Sequence, residues 1–261
     1  MPRAACHRLF APLLLPALVF LAPTAFGQEK SAPEEPAAAA AAKPPEGPRV
    51  EKTGEHRYRL GEIDFDAETR EIRIPAVVNL REGGPIEYLL VNENGKVHES
   101  LLTTKARPLH LQIVLKLLRY RSGEGALFDT FLPEEEQREK IEAGEKAPLG
   151  DAVAVTVRWE KAGETRDGPL APWIFDAGTG AAMTDEPWIV TGSHVSGGTY
   201  LAESEGSFIG IYLDQIAILN MSRPGAENDE RWGANPAETP EVGQKVAIIL
   251  KPVTKPGATA Q

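Results

Sequence analysis

Cysteine occurs once in the 261 residues, at Cys6, inside a stretch that reads as a removable leader. Without that leader the chain has no thiol. Disulfide staples, thiolate nucleophiles, cysteine-ligated zinc and iron–sulfur clusters are thereby excluded, and the fold must rest on burial alone. Positive charge is also short, with 28 lysines and arginines against 38 aspartates and glutamates, a net charge of −10. Losing Arg3 and Arg8 with the leader leaves 26 against 38, a net charge of −12. So acidic a chain, with no compact basic block, is a poor partner for nucleic acid or for an anionic lipid surface. His56, His98, His110 and His194 form no HxH or HExxH pair, and no GxSxG elbow occurs. No metal and no cofactor is expected.

What is present begins with "MPRAACHRLFAPLLLPALVFLAPTAFG". A basic start, an apolar run from Leu9 to Phe20, and small residues at Ala25 and Gly27 make a signal peptide of residues 1–27, cleaved near Gly27. Pro12, Pro16 and Pro23 interrupt the run, so no stable transmembrane anchor is expected after cleavage. Residues 28–50 are alanine, proline and charge with little to bury, a disordered spacer. Residues 51–254 turn globular and suit one domain with a single core, followed by a flexible tail at 255–261. The expected location is secreted or periplasmic.

Alternating apolar residues mark many short strands, among them "RYRLGEIDFD", "REIRIPAVVNL", "AVAVTVRWE", "TYLAE", "SFIGIYL", "QIAILN" and "KVAIILKPV". "IEYLLV" and "KVHESLL" flank "NENG", which predicts a hairpin turning at Asn94-Gly95. Two helices stand out. "RPLHLQIVLKLLRY" starts on Pro108 and repeats Leu111, Val114, Leu115 and Leu118 at helical spacing, a buried helix. "PEEEQREKIEA" has Glu134, Glu135 and Glu136 at the positive end of the helix dipole and stops at Gly144, a surface helix. The fold expected is mainly β (α+β): an antiparallel, sandwich-like domain with one buried and one surface helix.

"KVHESLL" places His98, Glu99 and Ser100 in a row, residue types suited to hydrolysis. On a strand, however, His98 and Ser100 share one face while Glu99 points to the other, so the three do not bond in series as a triad requires. His98 and His110 are candidates to meet, because the helix follows the strand closely. "TGSHVSGGTY" reads as a hairpin with permissive glycines, since strands rather than a strand and a helix flank it. "DFDAET" and "AENDER" lack the glycine and ligand spacing of a calcium loop. Trp159, Trp173, Trp188 and Trp232 are candidates to line a binding face, although most tryptophans in β domains belong to the core. Trp232 stands apart because it falls in a long polar excursion, Ser222 to Pro240.

From Asp66 to Leu118, and again at "EPWIVTGSHV", the sequence resembles the YdjY-domain proteins, an exported bacterial family. The resemblance rests on Glu87–Val91 ("EYLLV"), Lys96–Leu102 ("KVHESLL"), His110 near the start of its helix, and Pro187–Ser193 ("PWIVTGS"). It implies an exported domain without an established reaction, and a ligand-binding role for His98, Glu99 and Ser100. A ferredoxin-like label given to cysteine-bearing relatives does not extend to this chain. Taken together, these residues describe an envelope-associated binding module rather than an enzyme. Its ligand site would use His98, Glu99, Ser100 and His110, and its partner would be an envelope protein, a glycan or a small molecule. The alternative is an extracytoplasmic hydrolase with a His-centred site, with or without a metal.

Overall fold

The computed structural model describes residues 47–123, 125–145 and 148–253. The segments expected to be a signal peptide and a tail, and most of the expected spacer, lie outside the described residues. The chain first forms strands β1 (Val50–Lys52), β2 (Arg57–Leu60), β3 (Ile63–Asp66), β4 (Ile72–Val78), β5 (Tyr88–Asn92) and β6 (Ser100–Thr104). Helices α1 (Pro108–Leu117), α2 (Ala126–Asp129) and α3 (Glu134–Glu142) follow, then β7 (Ala152–Lys161), β8 (Glu164–Pro169), β9 (Ile174–Asp176) and β10 (Trp188–Val190). The last third contributes β11 (Val195–Ser196), β12 (Thr199–Tyr200), α4 (Leu201–Glu205), β13 (Ser207–Gly210), β14 (Leu219–Met221), β15 (Trp232–Ala234) and β16 (Lys245–Pro252).

Eight of these strands close into a barrel in the order β4-β16-β7-β10-β14-β13-β5-β6, and β6 returns to β4 through Val77↔Thr103 and Val78↔Leu102. The sandwich-like expectation is therefore overturned, while the mainly β class holds. The cause lies in two long strands that change partners along one edge. β4 pairs with β3 through Ile72 and Arg73, then with β6 through Val77 and Val78. β7 likewise pairs with β10 through Ala152 and Val153, then with β8 from Thr156 onward. The sheet curls shut between these switches, and β1–β3 and β8 are left as extensions outside the ring. Inward residues such as Ile72, Ile74, Val155, Val157, Ile248 and Leu250 fill the interior, as a barrel of this strand number allows. Inward–outward alternation looks the same in a sandwich, so local pattern does not separate the two.

The predicted hairpin is also corrected. The chain does reverse at Asn94-Gly95, but residues 93–99 carry it back outside the ladder, and β6 pairs with β5 in parallel, Leu90 opposite Leu102. β13 and β14 repeat the arrangement: they are parallel, with Ile209 opposite Leu219, joined by residues 211–218. β5 and β13 are antiparallel neighbours, so two strand–return–strand units lie back to back. Parallel neighbours normally need a crossover of about a dozen residues; these returns are shorter and contain no α-helix or strand.

α1 forms where expected and buries His110, Leu111, Val114 and Leu115 between β3, β13 and α4. α3 buries nothing and is the surface helix. "TYLAE", read as a strand, is extended only through Tyr200 and then forms α4, stopped by Gly206 at φ +74. Trp173, Trp188 and Trp232 are buried, and the indole of Trp232 donates to the Gly225 carbonyl, so the polar excursion folds around a core tryptophan. No helix among the described residues is long and apolar enough to cross a membrane.

Candidate functional site

The two return loops meet over the start of β5. The backbone N–H of Glu87 donates to the Glu99 carbonyl at 2.9 Å, and the Glu87 carbonyl accepts from Ile211 at 2.7 Å and from Tyr212 at 2.9 Å. One residue is thus tied to both loops. Beside it the Tyr88 hydroxyl donates to Asp214 Oδ2 at 2.8 Å and accepts from Lys96 Nζ at 3.0 Å. Lys96 also lies 3.7 Å from the Glu99 carboxylate. Burial, followed by the charge of Asp214, pushes the Tyr88 phenol well above its ordinary value, so it stays a proton donor to Asp214. The result is a fixed series of polar groups: Glu99, Lys96, Tyr88, Asp214.

These groups open onto a cleft of about 390 Å³, lined by Glu87, Lys96, His194, Tyr212, Asp214 and Ile216 among others. His194 comes from the "TGSH" segment after β10 and points Nδ1 toward the Gln215 carbonyl at 3.4 Å. Asn220, fully buried in β14, stitches that segment to the second return loop. Its side-chain amide donates to Thr191 Oγ1 at 2.8 Å and to the Asp214 carbonyl at 2.9 Å, while its oxygen accepts from the Asp214 N–H at 2.8 Å. Gly210 permits this close approach, because a Cβ there would sit 2.7 Å from the Tyr212 carbonyl and 2.9 Å from Asn220 Oδ1.

The four residues singled out from sequence are placed unequally. Val97–Glu99 is a turn of 3₁₀ helix rather than strand, so the strict two-face alternation does not apply there. His98 and Glu99, assigned to opposite faces, come within 3.6 Å, with His98 itself 78% exposed. Ser100 is fully buried and donates its hydroxyl to the Lys96 carbonyl at 2.6 Å, which pins the turn that presents Lys96. His110 lies past the other end of β6, a strand that spans roughly 13 Å. There it packs on Gly61, where a Cβ would collide with its ring, and its Nδ1 has no hydrogen-bond partner among the described residues. Among the described residues no three His, Cys, Asp or Glu side chains gather as metal ligands.

Sequence reasoning passed over the residues that line the cleft, although several were in plain view. Lys96 opens "KVHESLL" and Glu87 and Tyr88 open "EYLLV", but histidine and serine drew the chemical attention. Tyr212 was hidden in "SFIGIYL", read as a strand past the point where the chain in fact leaves the ladder at Ile211, and Asp214 fell just beyond that segment.

A larger hollow of about 600 Å³ lies on the outer face of β2–β4. Its charged groups are closed on one another, Arg59 on Asp64 at 2.7 Å and, at its margin, Arg158 on Asp167 at 2.6 Å. Solvent-exposed pairs of that kind are what a wet sheet face commonly carries. The sequence model of a protein family described as the YdjY domain matches residues 63–251. No curated protein and no solved structure matches the chain.

Proposed function

The chain belongs to the YdjY-domain family, and on that premise we propose that it is an exported, envelope-associated binding module whose ligand site is the cleft over Tyr88. One observation carries the reading: "KVHESLL" and "EPWIVTGSHV", about ninety residues apart in sequence, deliver Lys96 and His194 to the same hollow. Its volume of about 390 Å³ suits a small molecule or a single glycan unit. A rim of polar groups over Leu201, Leu213 and Ile216 is the mixture by which such sites orient a ligand. The basic start and apolar run of residues 1–27 support export.

In this reading Glu99 and Ser100 are positioning residues. Glu99 holds the Lys96 ammonium and Ser100 holds the Lys96 carbonyl. His98 stands exposed beside Glu99, outside the lining of the cleft, and His110 serves α1. A hydrolase centred on Ser100 is disfavoured, because that hydroxyl is buried and already donated to a backbone carbonyl.

The test is a fragment screen followed by amide chemical shifts on the labelled protein. Hits should concentrate on Lys96, His194 and Tyr212 and weaken on Lys96→Met. Hits that gather in the Arg59–Arg158 trough, or none anywhere, would overturn the assignment.

A further inference from the structure

Glu87 is held firmly by its backbone, while its side chain is left unused. Its backbone is bonded to both return loops, yet its carboxylate has neither hydrogen bond nor ion pair among the described residues. Three of the charged groups around it, Asp214, Lys96 and Glu99, are engaged. Asp214 accepts from the Tyr88 hydroxyl and from the Ile216 N–H, and Lys96 is shared between Tyr88 and Glu99. A half-buried carboxylate without a partner is costly, and the cost is removed by an incoming cation or a hydrogen-bond donor.

The surroundings favour the cation. Glu99, whose carbonyl accepts the Glu87 N–H, and Asp214, on the same cleft, bring negative charge beside Glu87, and the lysine that lines the cleft, Lys96, is offset by Glu99. In line with that geometry, burial first and then the Glu99 charge raise the Glu87 carboxyl above its ordinary value. Leu213, Ile216 and Tyr212 line the same cleft, residue types suited to the aliphatic part of an amine and to a cation.

We infer that the cleft takes an organic cation, a protonated amine or guanidinium, with Glu87 as its counter-ion and Tyr212, Leu213 and Ile216 supporting its carbon chain. The inference rests on the reading of this cleft as the ligand site and adds the charge of what enters it.

The experiment titrates the full chain with cadaverine and agmatine, with 1,5-pentanediol as the uncharged counterpart of the diamine and glutarate as the anionic one. Backbone amide shifts and the ¹³C signal of the Glu87 carboxyl are followed together. The diamine and agmatine should shift Glu87, Tyr212 and Leu213 and draw the Glu87 titration back toward the usual carboxylate range. Affinity should fall about tenfold in Glu87→Gln and with added salt. The Gln variant keeps the shape of a side chain that has no partner to lose, and an unchanged melting temperature verifies that its fold is intact.

If pentanediol binds the cleft as well as cadaverine, or Glu87→Gln binds cadaverine unchanged, the cation assignment falls while the cleft remains a ligand site. If none of the four probes shifts the cleft, the cation assignment also falls. The fragment screen then decides separately whether the cleft is a site at all.

Discussion

Asn220 is fully buried in β14 and commits its side chain to two separate segments, Thr191 on one side and the backbone of Asp214 on the other. Neither segment is in a regular ladder at that point, so the amide supplies hydrogen bonds that strands would otherwise supply. Replacing it with an isosteric acid tests this at constant shape. Asn220→Asp turns a double donor into an acceptor facing the Asp214 carbonyl and the Thr191 hydroxyl oxygen. It should cost about 3 kcal/mol in urea unfolding, as expected for leaving buried polar groups unmatched. The amide shifts of residues 191–194 should move with it. A variant within about 0.5 kcal/mol of wild type, inside the range of ordinary surface changes, would show that the stitch is dispensable. Sequence alone offered only "QIAILN", in which one asparagine among aliphatic residues reads as a strand end.

At the scale of elements, the helices with strong first-turn signals were legible and the strand partners were not. Pro108 at the start of α1 and three glutamates at the start of α3 are local signals, and both helices formed where those signals lay. "IEYLLV" and "KVHESLL" also carried a correct local signal, the reversal at Asn94-Gly95. Their parallel pairing depends on where residues 93–99 travel, which no residue type specifies. α4 was missed because Tyr200 and Leu201 look like strand residues until Gly206 ends a single helical turn.

α1 shows how tertiary contacts finish what a local pattern begins. Glu203 of α4 accepts from the Leu109 N–H at 2.9 Å, covering one of the free donors at the helix start. Just inside, His110 is buried on Gly61, and burial, with the charge of Arg107, holds its imidazole below the ordinary value. A histidine depressed in the folded state favours the neutral form there. Its contribution is present above the unfolded pKa of about 6.5 and is lost as pH falls through and below that value. Urea midpoints of wild type and His110→Gln at pH 7.5 and 5.5 measure this. Wild type should lose more stability than the variant on acidification, because His56, His98 and His194 are exposed in both. Equal losses in the two proteins would mean that His110 titrates as it does in the unfolded chain.

For the whole molecule the decisive feature is closure, and it rests on few residues. β6 meets β4 through Val77↔Thr103 and Val78↔Leu102, a short antiparallel contact that turns a long sheet into a ring. A sandwich assembled from the same strands would have no reason to bring those residues together, so a covalent link between them discriminates directly. Val77 and Thr103 are both half-buried residues of the outer surface, and neighbours across an antiparallel ladder have Cα atoms about 4.5–5.5 Å apart, within the reach of a disulfide. In a chain carrying Cys6→Ser no other thiol competes. Val77→Cys with Thr103→Cys should therefore oxidise quantitatively, with no free thiol detectable in the folded protein and two after unfolding and reduction. The bond closes the loop from 77 to 103 and should add about 3–4 kcal/mol by restricting the unfolded chain, less any strain in the ladder. Reductant should remove that gain, while leaving the protein with serine at both positions untouched. Persistent free thiols under oxidising conditions, in a variant that still melts cooperatively, would place the two strands apart and the barrel open.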